Sequence, residues 1–385
     1  MRFEFSTAQQ IVFGSSVAAE APEIATSAGK RAFVVAGRTA QRAAELLARL
    51  TSRGVALETF NVTGEPTVQT AQAAVAAARA ANSDVVLALG GGSVIDTGKV
   101  VAAILRNEGA LLDYLEVVGQ GKPLAHRAAP YVALPTTAGT GAEVTRNAVL
   151  GVPEHQVKVS MRGSFLLPRW ALVDPLLTHS MPPELTASTG LDALTQLIEA
   201  FVSNKANPLT DGLCREGLAR AARSLERAFS DGNDAAARED MALASLFSGL
   251  ALANAKLGAV HGFAGPLGGL TRAPHGIICG KLLPYVMEAN VRALRDRMPD
   301  SPVLARFDEV GRILTGNPAA GASHAVSWIQ ELCSTLGLPG LRAYGLSESN
   351  IPTAVAKAKK ASSMKGNPID LQEDELLEIL LQAID

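Results

Sequence analysis

Three side chains in the second half of the chain have the types that do chemistry: Asp192, His261 and His275. One carboxylate and two imidazoles form a donor set of hard and borderline character, suited to a divalent transition metal. Asp192 lies in Thr-Gly-Leu-Asp-Ala-Leu-Thr-Gln-Leu-Ile-Glu-Ala (189–200), where Leu191, Leu194, Leu197 and Ile198 recur at helical spacing. Gln196 follows Asp192 by four residues, so both lie on one helix face. His261 and His275 stand in Gly/Pro-punctuated stretches, Ala-Val-His-Gly-Phe-Ala-Gly-Pro-Leu-Gly-Gly and Ala-Pro-His-Gly-Ile-Ile-Cys-Gly. Their spacing matches no standard zinc signature, so on spacing alone a packed or capping histidine is the rival reading.

A second set of residues suits an anion. The run Asp84 to Leu89 reads as a buried strand, ends in Gly90-Gly91-Gly92-Ser93, and passes at once into a helix containing Asp96 and Lys99. Strand, glycine turn and helix N-terminus present free backbone N–H groups and a favourable dipole to a pyrophosphate, with Gly91, Gly92 and Ser93 at the contact. The pattern is neither GxGxxG nor GxxxxGK[ST], and a plain tight turn is its bland alternative. After the strand Tyr131 to Leu134 comes Pro-Thr-Thr-Ala-Gly-Thr-Gly-Ala-Glu-Val-Thr (135–145), whose Thr136, Thr137 and Thr140 suit ribose hydroxyls and phosphates. Ligands of open α/β sheets bind at such carboxyl ends, although a hydroxyl-rich N-cap explains one loop taken alone. The strand Arg31 to Ala36 ends in Gly37-Arg38, not in the acidic residue that would repel a 2′-phosphate; NADP is therefore tolerated beside NAD.

These residues need elements to hold them. Residues 1–180 alternate short β-rich runs with alanine-rich helical patterns: strand Arg31 to Ala36, helix Thr39 to Ser52, strand Val55 to Phe60, helix Thr67 to Ala81 and strand Asp84 to Leu89. That order predicts a mostly parallel sheet with helices on its faces, followed by strands at Tyr131 to Leu134 and Trp170 to Asp174. Beyond Met181-Pro182-Pro183 long amphipathic patterns take over, clearest at Ala236 to Lys256 and Ala320 to Leu336. The expected fold is an α/β dinucleotide-binding domain (1–180) plus an all-α domain (181–385) carrying the metal and substrate site. The 385-residue chain has a net charge of −2 and no basic run, which argues against a nucleic-acid partner. Its three cysteines form no CxxC pair, the N-terminus lacks a signal-like apolar core, and no run is long enough to span a membrane. A cytoplasmic enzyme is expected.

Taken together, the stretches 90–99, 135–145, 173–178 (Val-Asp-Pro-Leu-Leu-Thr), 189–194 and the two histidine runs resemble the iron-containing (group III) alcohol dehydrogenase family, whose fold is shared with dehydroquinate synthase. The resemblance covers nearly the whole chain. It implies an active site in the cleft between the domains, a pyrophosphate cradled by Gly91, Gly92 and Ser93, and ribose and nicotinamide sites lined by Thr136, Thr137, Thr140, Asn147 and Lys158, with Asp96 nearby. It implies one divalent metal, iron or zinc, on Asp192, His261 and His275, a small alcohol or carbonyl substrate, and a homodimer whose contact includes a strand Phe3 to Ser6. Two positions depart from the family pattern. The motif Asp-x-x-x-His places Gln196 where the fourth ligand stands, and His-x-x-x-His places Gly265 where a second imidazole stands near the nicotinamide. Gly265 should leave room for substrates larger than ethanol, and proton delivery then passes through water, Asp96 or a ribose hydroxyl.

The main expectation is a dehydrogenase in which NAD(P)H delivers hydride to a carbonyl polarised by the metal. A reductase of the maleylacetate reductase type, polarising its substrate by hydrogen bonds from Gln196 and His275 without a metal, is the first alternative. A lyase of the dehydroquinate synthase type is remote, because only Arg272 supplies a cation near 192–200 and 261–280.

Overall fold

The computed structural model describes residues 2–37, 40–155 and 157–385. They divide into two compact units: a sheet unit, Ser6–Thr137 with Gly141–His179, and a helical unit, Ser180–Asp385 with Ala138–Thr140 and the N-terminal residues through Phe5. The architecture is the α/β plus all-helical one expected.

In the sheet unit the strands are β1 (Gln10–Phe13), β2 (Arg31–Ala36), β3 (Ala56–Asn61), β4 (Val85–Gly90), β5 (Tyr131–Pro135), β6 (Asn147–Val152), β7 (Val157–Arg162) and β8 (Trp170–Val173). Six of them form a parallel sheet in the order β1-β8-β5-β4-β2-β3. The sequence Val-Val-Leu-Ala-Leu-Gly of β4 is buried along its whole length, as a parallel strand covered on both faces requires. Along β2, Ala32, Val34 and Ala36 join one core with helices α1 (Ala21–Ala28) and α2 (Ala40–Ser52). Phe33 and Val35 point the other way, into a core with α3 (Val68–Ala80) and α4 (Gly92–Ile104). The chain thus leaves β2 on one face and β4 on the other, which makes the gap between these neighbouring strands the topological switch point.

Two strand expectations change. Residues 3–6 form no strand; the first begins at Gln10, where β8 supplies a ladder partner. The chain also forms an antiparallel hairpin, β6–β7, outside the main sheet. Its anchor is Lys99, fully buried on α4, whose ammonium donates to Thr145 Oγ1 at 2.8 Å, the Asn147 carbonyl at 2.7 Å and Asp96 Oδ1 at 3.3 Å. Three acceptors satisfy the three N–H donors of this buried ammonium. Gly98 lets α4 sit this close to the sheet, since a Cβ there would lie 2.8 Å from the Tyr131 ring and 2.9 Å from Ala88.

In the helical unit α6 (Pro183–Val202; the short turn α5, Leu111–Tyr114, precedes it in the sheet unit) is the central element, buried from Gly190 to Val202. Around it pack α7 (Pro208–Ser230), α8 (Ala235–Ala255), α9 (Ala259–Leu270) and α10 (His275–Arg297). Helices α11 (Val303–Thr315), α12 (Ala322–Thr335), α13 (Ile351–Ala358) and α14 (Glu373–Ala383) complete the bundle. Between α8 and α9 the axis turns by 101°, with Lys256 at a φ of +73°. That turn points the N-terminus of α9 back at α6. Among the described residues no single helix is long and apolar enough to cross a membrane.

Glu143, buried beside this network, has its carboxyl pushed up by burial from an ordinary 4.5 to about 7, the Lys99 charge offsetting only part of the effect. The native state therefore holds this proton more tightly than the unfolded chain, and stability falls as pH rises from about 4.5 through 7. At ~1.4 kcal/mol per tenfold change the full cost above pH 7 is on the order of 3 kcal/mol. Glu143→Gln removes it, so the gain in unfolding free energy over the parent grows between pH 5 and pH 8. A difference independent of pH in denaturant titrations contradicts this assignment.

Candidate functional site

Helix α6 presents Asp192, Gln196 and Glu199 at intervals of four and three residues, hence along one face. All three are buried. Buried carboxylates need compensating partners, and the helical unit supplies them from α9 and α10. His261 Nε2 lies 3.2 Å from Asp192 Oδ1, and His275 Nε2 lies 3.7 Å from the same oxygen. The Cys279 thiol, one turn beyond His275 on α10, sits 3.8 Å from His261 Nε2. One ligating atom each from Asp192, His261, His275 and Cys279 falls within 4.8 Å of all the others.

Glu199 fixes this arrangement. Its carboxylate accepts the backbone N–H of Val260 at 2.7 Å and of His261 at 3.4 Å, groups that the first turn of α9 leaves without helical partners. It also lies 2.6 Å from His261 Nδ1. A proton on Nδ1 donates to Glu199 and leaves the Nε2 lone pair directed at the cluster, the outer contact that orients metal-binding imidazoles. Asn367 Oδ1 accepts the neighbouring Ala259 N–H at 3.1 Å, so the end of α9 is capped from two sides.

Gln196, expected at the fourth ligand position, makes hydrogen bonds at both ends of its amide. Its Oε1 accepts the Ser248 hydroxyl at 2.9 Å, and its amide donates to Asp192. The carboxamide oxygen is turned away from the cluster because Asp192, an acceptor, demands the N–H end. The effect is to support the carboxylate as an anion. Burial pushes Asp192 up, but the charge of His275 and the hydrogen bonds of His261 and Gln196 carry it below its ordinary value. Burial likewise pushes His261 and His275 down, and the facing Cys279 and Asp192 bring both back above the usual imidazole range. Burial pushes Cys279 up, yet the two imidazoles lower it.

The chemistry of this donor set fits a divalent metal. Two imidazoles, a carboxylate and a thiol converge, a carboxylate orients one imidazole from behind, and the His275 side chain is 36 % exposed while Asp192 is 3 % exposed. The open side of the cluster is therefore the His275 side. At Gly265, further along α9, a Cβ meets nothing within 4 Å, so the position has room for a side chain.

In the sheet unit the carboxyl ends of β2, β4 and β5 lie side by side, with Ala36 paired to Leu89 and Gly90 to Pro135. Gly37, Gly91–Ser93 and Thr136–Thr137 are thereby brought together at the switch point. Gly37 N–H donates to the Leu89 carbonyl at 3.3 Å and Thr136 N–H to the Gly90 carbonyl at 3.0 Å. A Cβ on Gly91 would stand 3.2 Å from the Thr137 side chain, so glycine keeps open the N-terminus of α4. Arg38 lies outside the described residues. Asn147, on β6, gives its carbonyl to Lys99, and Lys158, on β7, pairs with Glu65 at 2.7 Å. Thr140 belongs to the helical unit. At Asp96, expected near the nicotinamide and as one proton route, Oδ2 accepts the Val149 N–H of β6 at 2.9 Å and Oδ1 accepts from Lys99 of α4 itself at 3.3 Å, so one oxygen ties α4 to β6 and the other pairs within the helix.

Glu199 and Cys279 were not among the residues singled out by sequence. Each carried a signal: Glu199 follows Asp192 by seven residues, and Cys279 follows His275 by four, both spacings that share a helix face.

Residues 8–175 match the family described as iron-containing alcohol dehydrogenase, and residues 186–384 match the C-terminal part of the Fe-containing alcohol dehydrogenase family. The chain belongs to the iron-containing alcohol dehydrogenase family. It is 38 % identical over 302 residues to 1,3-propanediol dehydrogenase of Klebsiella pneumoniae, covering 78 % of this chain and 76 % of that one. A crystal structure of a 1,3-propanediol oxidoreductase superposes with a TM-score of 0.91 at 32 % identity, covering 100 % of both chains. Sulfoacetaldehyde reductase from Bifidobacterium kashiwanohense, solved in complex with NAD+, has a TM-score of 0.88 at 29 % identity, covering 100 % of this chain and 99 % of that one.

Two outcomes follow from the geometry. Glu199→Gln keeps an acceptor for His261 but loses its charge, and metal affinity drops on the order of 10-fold in chelator competition; an unchanged affinity contradicts the orienting role. Gly91→Val fills the α4 N-terminus and weakens NAD(P)H binding by about tenfold, ~1.4 kcal/mol, in fluorescence titrations, with metal content unaltered. Equal dinucleotide affinity places the pyrophosphate elsewhere.

Proposed function

We propose that this protein interconverts an alcohol and its carbonyl compound, with NAD or NADP as hydride carrier and one divalent metal, iron or zinc, held by Asp192, His261 and His275. The observation that carries the reading is the convergence of those three side chains from α6, α9 and α10, with Glu199 fixing His261 from behind. When bound, the cation polarises the carbonyl or stabilises the alkoxide, and the dihydronicotinamide supplies hydride.

The chain's own part is positioning. Asp192 is kept anionic by Gln196, His261 and His275. His261 is held in one tautomer by Glu199. His275, the exposed member of the cluster, leaves the side from which a substrate oxygen approaches. Dinucleotide binding is assigned to Gly37, Gly91, Gly92 and Ser93, with Thr136, Thr137, Thr140, Asn147 and Lys158 for the ribose and nicotinamide and Arg38 as a cation compatible with a 2′-phosphate. With Asp96 committed to Val149 and Lys99, the proton passes through water or a ribose hydroxyl.

A metal-free reductase reads the same residues less well. It needs the Gln196 amide to face a substrate, and that amide is spent on Asp192 and Ser248. The names of relatives, 1,3-propanediol dehydrogenase and long-chain-alcohol dehydrogenase among them, put diols and primary alcohols larger than ethanol first. The space at Gly265 suits that choice.

Protein purified without chelators carries about one equivalent of metal per chain, and EDTA dialysis removes metal and NAD(P)-linked turnover in parallel. His261→Ala loses both together. Full turnover of the stripped protein, or of His261→Ala, refutes the metal reading.

A further inference from the structure

The donor set contains one atom more than that reading uses. It is Cys279 Sγ, buried on α10 one turn beyond His275, and so on the same helix face. Zinc binds nitrogen and oxygen at about 2.0–2.2 Å and sulfur at about 2.3 Å, so neighbouring donors of a tetrahedral site stand about 3.3–3.6 Å apart. The separations here are 3.2 Å from His261 Nε2 to Asp192 Oδ1, 3.7 Å from His275 Nε2 to Asp192 Oδ1, and 3.8 Å from Cys279 Sγ to His261 Nε2. They differ from tetrahedral edges by a few tenths of an ångström. All four donor atoms lie within 4.8 Å of one another. Gln196, four residues after Asp192, is the obvious rival for the fourth place, but its oxygen is held by Ser248.

We propose that Cys279 is the fourth protein ligand of the metal, and that the resulting Asp-His-His-Cys set selects zinc. The inference rests on the metal site assigned above and adds the ligand and the ion. The fourth donor has moved from α6 to α10: the amide at position 196 supports Asp192 instead of binding the ion, and a thiolate one turn beyond His275 fills the vacancy. The change alters the chemistry of the site. A thiolate is soft, and with two imidazoles it suits zinc in tetrahedral geometry, whereas oxygen donors alone suit magnesium or manganese. With these four residues holding it, the ion would still be able to polarise a substrate oxygen, since zinc tolerates expansion beyond four ligands.

Cobalt(II) replacing the native metal reports thiolate ligation directly. Protein stripped by chelator and reloaded with cobalt is expected to show the visible bands of a low-symmetry tetrahedral or five-coordinate ion together with a near-ultraviolet thiolate-to-cobalt charge-transfer band. Cys279→Ser loses the charge-transfer band and keeps the visible bands, and its preference for zinc over iron in equilibrium competition falls on the order of 10-fold or more. Cys214→Ser, on α7, keeps both. The parent spectrum decides even if Cys279→Ser fails to fold: visible bands without the charge-transfer band overturn Cys279 ligation and leave the metal site standing. A parent protein that takes up no cobalt overturns both.

Discussion

A carboxylate buried in a helical bundle has to be matched by positive charge or by donated hydrogen bonds, and Asp192 imposes this demand on everything near it. Helix α6 is buried from Gly190 to Val202, and Asp192 as a whole residue is 2 % exposed. The matching groups come from elements distant in sequence: His261 at the start of α9, His275 at the start of α10, and the Gln196 amide four residues along α6 itself. The same demand is repeated one turn further on, where Glu199 is matched by the unpaired N–H groups of α9 and by His261 Nδ1. His261 thus sits between two carboxylates, one on each ring nitrogen. A cation placed where Asp192, His261 and His275 point would resolve the demand more completely than imidazolium protons do.

The sheet unit answers a different constraint. A pyrophosphate requires backbone N–H groups without a side chain in the way, at a place where the chain turns to opposite faces of a parallel sheet. Strands β2 and β4 create that place, and the buried Lys99 holds α4 and the β6–β7 hairpin around it. The motif residues Asp96 and Lys99 therefore belong to the frame around that glycine turn, where they pair with each other inside the protein.

Much of this is legible in the chain of residues, and the limits have physical causes. Strand β2 is visible to the residue because a strand covered on both faces must be a continuous apolar run; β4 and α3 are visible to within a residue or two. Asp192, His261 and His275 stand out by type and by resemblance, although the distances between them depend on the 101° turn from α8 to α9, which no local pattern encodes. Glu199 hides because its role depends on that turn. Cys279 hides because a buried cysteine in an apolar helix reads as packing. Gln196 is misleading for a subtler reason: position and type allow either end of the amide to face the site, and the contacts with Asp192 on one side and the Ser248 hydroxyl of α8 on the other determine which. The β6–β7 hairpin left a trace in the alternation of Ala148, Leu150 and Val152, but its short strands lie between loops that carry stronger signals.

X-ray absorption at the metal edge, on protein purified without chelators, tests whether a divalent ion is bound by two imidazoles at this cluster. The expected spectrum has a first shell containing nitrogen and oxygen at about 2.0–2.2 Å, with the outer-ring scattering characteristic of two coordinated histidines. A first shell of oxygen atoms alone, without imidazole scattering, would contradict it.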